Sequence, residues 1–468
     1  MSDAIVAVGG TGKRVAALYL KLVNTLLPAG ASGHGGSVFV VDMEPEAGTP
    51  DGDINKELRD EGVPASHFIS PVLKDVQAQP NTTLSQFMRF ESGGTVLPLA
   101  QSLFNTSQLN VQIIRGMNCE PTVGATVAAR KFTINEVTQE EDVQSLQDGI
   151  AGRNRVIVVG SIVGGTGAGV TPQLVKWIRQ RLPGKPVYGL LFMRWLNLPK
   201  NDDSGPTNVK MYGNAKAWLN YLIECHKDNP NPRERELFTH YVLVGAPHDM
   251  KLSESGDTSH HPLHLLGAYY LLQFDTFQQI APGSLGPHYL ELTEGIKPKD
   301  VKMDNATMAA AVVWERLFIY MLGVCKAQRP DQALSPFTLM MGRRLAWSPF
   351  IETMEAFAAK WGRHGQVGRD WGVITEVFEK ERQKAQQRVE DLKKLTSTMP
   401  GADQIFDFDW NELNRRYEMK KPDALALTRN HLQAVTVAFP DLEEELSAVA
   451  RKFMEQLRDI LRKYIKLN

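Results

Sequence analysis

Short apolar runs alternate with amphipathic stretches along the first part of the chain. Ala4–Val8, Val38–Val41 and residues 111–114, 155–160, 187–193 and 238–244 are continuous runs of the kind that buried strands need. Between them lie apolar residues at helical spacing. Val15, Leu18, Leu22 and Leu26 share one face and stop before Pro28. Leu174, Val175, Ile178 and Leu182 share another, with Thr171 read as a cap and Pro172 as a first-turn residue. Residues 84–89, 97–104 and an alanine-rich stretch ending at Arg130 also read as helices. So does a long apolar run that opens at His260-His261-Pro262. Residues 56–61 suggest a short charged helix, and 135–154 a polar helix and loop. Strands alternating with helices predict a mostly parallel sheet covered on both faces, an α/β fold of Rossmann type.

The pattern changes near residue 305. From there the spacing predicts helices over 306–326, 350–361, 370–398, 409–419, 423–438 and 441–467, with Pro330, Pro336 and Pro349 punctuating the junction. The last helix carries Leu442, Leu446, Val449, Phe453, Leu457, Ile460, Tyr464 and Leu467 at alternating spacings of three and four. That stripe is a packing face, read as turned toward its own domain. The expected organisation is an α/β domain over 1–304 and a mainly helical domain over 305–468.

Composition narrows the class. At 468 residues the chain is long enough for two or three domains, and 43% apolar with 22% charged residues is ordinary for folded proteins. A net charge of −1 gives no whole-chain attraction for nucleic acid or anionic lipid. Cys119, Cys225 and Cys325 show no CxxC spacing, so no metal or disulfide framework is expected and a reducing compartment is. No run is long enough to span a bilayer and no leader pattern opens the chain, so the cytoplasm is the expected location.

Candidate chemistry concentrates in glycine-rich turns between a strand and a helix. Gly164-Gly165-Thr166-Gly167-Ala168-Gly169 follows one strand run. Glycines there permit positive φ and let backbone N–H groups converge on an anion at the positive end of a helix. Gly9-Gly10-Thr11-Gly12 follows the first strand in the same way, with Lys13 and Arg14 within reach of a phosphate. It is not a Walker A loop, because Arg14 follows Lys13 and Ala7 stands at the first glycine position. It matches the dinucleotide fingerprint in part, with Val15 in the third glycine place. Ser92-Gly93-Gly94-Thr95 has no strand before it and reads as a plain loop.

The Gly164–Gly169 hexapeptide resembles the signature loop of the tubulin/FtsZ superfamily, with Val163 where a small residue is usual. Four further stretches follow in family order: the first glycine loop, Val38-Phe39-Val40-Val41-Asp42-Met43-Glu44-Pro45, the loop from Gly116 to Gly124, and the helix containing Asn214. The resemblance spans about residues 4 to 275 and implies a GTP/GDP site. It implies that Asp42 and Glu44 hold Mg²⁺ through water, that Gly116, Asn118 and Thr122 approach the terminal phosphate, and that Asn214 contacts guanine. It places His261 or His264 near the base. In this family an N-x-D-x-x-[DE] element carries the acid that activates water in the neighbouring subunit's site. That element is missing after residue 283, where Glu291, Glu294, Asp300 and Asp304 are the acids at hand.

Three functional readings follow. The first is a tubulin-like GTP-binding protein that associates head to tail with slow or neighbour-activated hydrolysis. The second keeps the fold but makes it a nucleotide-dependent interaction module whose helical region binds a partner. The third, an NAD(P) enzyme using the first loop and Asp42, leaves the second glycine loop idle.

Overall fold

A computed structural model describes residues 3–26, 37–43, 50–77, 81–88, 101–113, 117, 119–132, 140–194, 196–197, 208–226, 237–245, 253–254, 260–275, 288–290, 305–327, 367–398, 409–431 and 446–467. Two compact units divide the chain: Met1–Leu22 with Gly33–Val301, and Val23–Ser32 with Lys302–Asn468.

The first unit is built on a parallel sheet. Its strands are β1 (Ala4–Val8), β2 (Val38–Val41), β3 (Phe68–Ile69), β4 (Val156–Ser161), β5 (Val187–Phe192), β7 (His240–Val244) and β9 (His288–Leu290), in the order β3-β2-β1-β4-β5-β7-β9. Every pairing is parallel. Two further short strands, β6 (Leu196–Asn197) and β8 (Ser253–Glu254), pair with each other. All residues of β1, β2 and β4 are buried, as a sheet covered on both faces requires. This is the α/β fold expected from the alternation of apolar runs.

The covering helices are α1 (Gly9–Leu26), α2 (Pro50–Asp60), α3 (Pro121–Lys131), α4 (Glu141–Ala151), α5 (Gly165–Arg181), α6 (Asn208–His226) and α7 (Pro262–Leu272). Several expectations need correcting. Of the run at 111–114, the described residues 111–113 form no strand of the sheet; Gln112 makes an isolated antiparallel bridge to Thr83. Neither glycine turn precedes its helix. α1 starts at Gly9 directly from the strand, and α5 starts at Gly165, so Thr171 is no cap and Pro172 lies inside the helix.

The second unit packs α8 (Asn305–Ala327), α9 (Val367–Thr398), α10 (Trp410–His431) and α11 (Leu446–Tyr464) around Phe318, Phe378, Phe453 and Leu457. α10 runs unbroken through Pro422, where two helices were expected. The buried face of α11 follows Ala450, Phe453, Met454, Leu457, Leu461 and Ile465, while Tyr464 is exposed. A straight helix drifts from the three-and-four stripe, which moves burial one residue on after Leu457. The expected helix at 350–361 lies outside the described residues. Buried Glu315 meets Arg458 at 2.8 Å and Arg388 at 3.4 Å, and Arg458 also reaches Glu381 at 3.0 Å.

Candidate anion site at the sheet's carboxyl edge

From β1 the chain moves outward to β2 and β3, then returns to place β4 on the other side of β1. The order reverses between β1 and β4. In open parallel sheets the crevice at the carboxyl ends of such strands is where ligands bind. Both glycine segments lie there, because α1 leaves β1 and α5 leaves β4 at that edge.

Backbone geometry draws the helix starts together. Gly9 has φ of 69°, a conformation costly to any residue with a Cβ, and a Cβ there would lie 3.2 Å from the Gly167 nitrogen. The start of α1 therefore abuts the start of α5. A Cβ on Gly165 would lie 2.4 Å from Met117 Cβ, and one on Gly169 would lie 2.4 Å from the Pro121 oxygen. Gly124 meets the Gly165 oxygen in the same manner. So α3 and α5 touch backbone to backbone, and the start of α3 joins the cluster.

The glycines thus divide by role. Gly165, Gly167 and Gly169 are buried packing contacts, and the four glycines of the hexapeptide all have negative φ, against expectation. Gly164 has open space where a Cβ would stand, and with Thr166 it is half-buried. Gly10 is half-buried too, whereas Gly12 packs against Val159. Gly164 is the N-cap of α5, and no side chain caps it; Glu120 at the N-cap of α3 likewise makes no side-chain cap bond. Helix starts leave their first N–H groups without partners inside the helix. In this cluster Gly10, Gly164 and Thr166 are half-buried, Thr122 at the start of α3 is exposed, and Ala168 is buried.

Side chains lock the cluster. Asn214 Nδ2 donates to the Cys119 oxygen and to the Val163 oxygen, both at 2.9 Å, tying the turn before α3 to the turn before α5. Both amide hydrogens are thereby committed to backbone. One turn further along α6, Trp218 Nε1 donates to the Ala168 oxygen at 2.7 Å. Cys119 has φ of 56°, and burial followed by the charge of Glu120 pushes its thiol pKa up. Glu120 is held by Lys210 at 2.8 Å and by Gln108 at 2.8 Å. Thr122 is exposed, and its hydroxyl accepts from Gln108 at 3.1 Å.

Other expected site residues lie differently. Lys13 is fully buried, with Nζ 2.7 Å from Asp42 Oδ2. Arg14 donates to the Gly10 oxygen at 3.1 Å. Asp42 therefore faces an ammonium, and among the described residues no three metal-ligating side chains cluster. Among the described residues, one carboxylate held by a lysine does not by itself make a Mg²⁺ site, which wants several hard oxygen ligands. Glu44, Gly116 and Asn118 lie outside the described residues, as do Glu291, Glu294, Asp300 and Asp304.

His261 is the N-cap of α7 and is nearly fully buried. Its Nδ1 accepts from the Leu263 N–H at 3.2 Å, and His264 Nδ1 accepts from the His261 N–H at 3.0 Å. Two histidines so form a capping box. Burial, then the charges of His261, Arg14 and His260, hold His264 well below the usual histidine range. Nearby, burial raises the Glu57 pKa, but the hydrogen bond and charge of His260 and the charge of Lys21 outweigh it and bring Glu57 to about 2.

Sequence reasoning missed Trp218, the packing role of Gly124 and the pairing of Lys13 with Asp42. Asn214 and Trp218 stand four apart on one helix face, which was a readable signal that both reach the same neighbour.

The fold is thus a parallel α/β sheet with partly accessible helix starts at its switch point. Residues 116–249 match a family model described as tubulin like. The match supports the tubulin/FtsZ superfamily membership that the sequence resemblance indicated. No curated protein matches the chain. The matched segment includes α3, α5 and Asn214 but begins after Lys13 and Asp42.

Proposed function

We propose that this chain binds guanine nucleotide, GTP or GDP, with the phosphates on the clustered starts of α1, α3 and α5. The observation that carries the reading is the division among the glycines: the inward ones pack backbone on backbone, while Gly164, uncapped and open, faces outward. Aligned helix dipoles and N–H groups there favour a polyanion. The protein self-associates head to tail, with nucleotide at the contact. Backbone amides would stabilise charge on a transferring phosphoryl group. The acid that orients water would come from a neighbouring copy, and with the family's acidic element missing from the sequence, turnover by the isolated chain is slow.

The test is calorimetry with GTP, ATP and NAD, together with identification of nucleotide released when the purified protein is denatured in acid. Guanine nucleotide binding without NAD binding is the expected result. Tight NAD binding with no guanine nucleotide binding would overturn the reading.

A further inference from the structure

A buried lysine is paired with a carboxylate at the carboxyl edge of the sheet, beside the proposed phosphate site. Val8 and Val41 are register partners on neighbouring strands. Gly9 and Asp42 therefore leave the sheet side by side, about one strand spacing (~4.8 Å) apart. Lys13, one turn into α1, brings its ammonium to this edge with no solvent exposure, 2.7 Å from Asp42 Oδ2. The contact is close but poorly directed: Nζ makes no hydrogen bond among the described residues. A buried ammonium carries three donors and a full charge, and a single misdirected carboxylate contact leaves those donors unspent.

We propose that Lys13, held in place by Asp42, is the fixed positive charge for the nucleotide phosphates, so that binding needs no divalent cation. This rests on the phosphate site proposed above. The lysine suits the role because an ammonium is a compact point charge, and its attraction for phosphate is strengthened where water is excluded. It also accounts for the poor fit of Mg²⁺ to Asp42. The carboxylate is already neutralised by a charge that the chain itself supplies, and its role is to position the ammonium.

The test titrates GTP and GDP into the full-length protein by calorimetry, once in Mg²⁺ and once in excess EDTA. Affinities in the two buffers should agree to within about tenfold, and a larger loss in EDTA overturns the proposal. A lone Lys13 substitution would strand Asp42 in a buried place, so the paired variant Lys13→Met with Asp42→Asn is used, its folding checked by circular dichroism. The folded double variant should lose more than about tenfold in EDTA, and retained affinity overturns the proposal. If the unaltered protein binds in neither buffer, the phosphate site itself fails. Binding that appears with Mg²⁺ alone leaves that site standing and overturns this inference.

Discussion

Trp218 supplies the hydrogen bond that Pro172 denies to Ala168. In an α-helix the Ala168 oxygen would accept from the N–H of residue 172, but proline has none. The Trp218 indole donates to that oxygen instead, at 2.7 Å, from the neighbouring helix. Trp218→Phe should leave a buried carbonyl unsatisfied and cost about 1–3 kcal/mol. On a Pro172→Ala background, where the N–H returns, the same change should cost less. Urea denaturation of the four proteins in this cycle measures the coupling, and strictly additive losses would show that the indole bond does not replace the missing one.

Two glycines of one hexapeptide should behave in opposite ways. Gly169→Ala places a Cβ 2.4 Å from the Pro121 oxygen, so backbone must move and the fold should weaken by about 1–3 kcal/mol. Gly164→Ala meets nothing within 4 Å and has φ of −85°, which alanine accepts. Its stability should stay within about 0.5 kcal/mol of the parent. Nucleotide affinity should nevertheless fall, since the methyl group enters the open edge. Denaturation and calorimetry on the same preparations separate the two effects. Full affinity in Gly164→Ala would move the ligand elsewhere.

Asn214 should act on phosphate binding rather than on base choice. Both its amide hydrogens are committed to the Cys119 and Val163 oxygens. Asn214→Ala should therefore loosen the two turns together and weaken GTP and ATP to a similar degree. A loss confined to GTP, seen by competition binding, would instead assign base recognition to this side chain.

Acid should destabilise the protein in two windows. His264 is held neutral, its folded pKa far below the ordinary 6.5. Its stabilising contribution is complete above that value and is lost as pH falls below it, because the unfolded chain takes up the proton first. Glu57, lowered from 4.5 to about 2, contributes above pH 4.5 and loses that contribution as pH falls toward 2. Urea midpoints measured across pH should decline in both ranges. His264→Gln, which keeps an acceptor for the His261 N–H, should flatten the upper range and leave the lower one. An unchanged upper slope would place the linked proton on another group.

In the helical unit, Glu315→Leu should cost about 3–5 kcal/mol, since it leaves Arg388 buried with its nearest carboxylate gone. Arg458 retains Glu381 at 3.0 Å. Thermal unfolding of the variant measures the loss, and a shift too small to detect would mean that water reaches the arginines.

Much of the sheet was legible because its strands are buried on both faces and so read as unbroken apolar runs. β3 and β9 were not, as strands of two and three residues carry no pattern of their own. The hexapeptide was found at once, but the sequence could not say which glycines face a ligand and which face another backbone. That depends on Pro121 and Gly124, some forty residues earlier, lying against it. Pro172 and Pro422 misled for one reason. Proline raises the cost of continuing a helix, and at Pro172 the cost is met by Trp218, which local spacing cannot show. Lys13 likewise read as a charge reaching outward to a phosphate, whereas the structure buries it against Asp42 at the end of the next strand.

The seam between Gly124 and the Gly165–Gly169 stretch has a mechanical consequence. At that seam backbone meets backbone, so nothing soft lies there to absorb a displacement, and close-packed interiors pass strain on. α3 and α5 therefore move as a single stiff lever. At the far end of that lever, buried Lys131 is fastened to Glu140 and Asp142 at the start of α4. A ligand that shifts the near end would register at α4, on the side of the domain remote from where it bound.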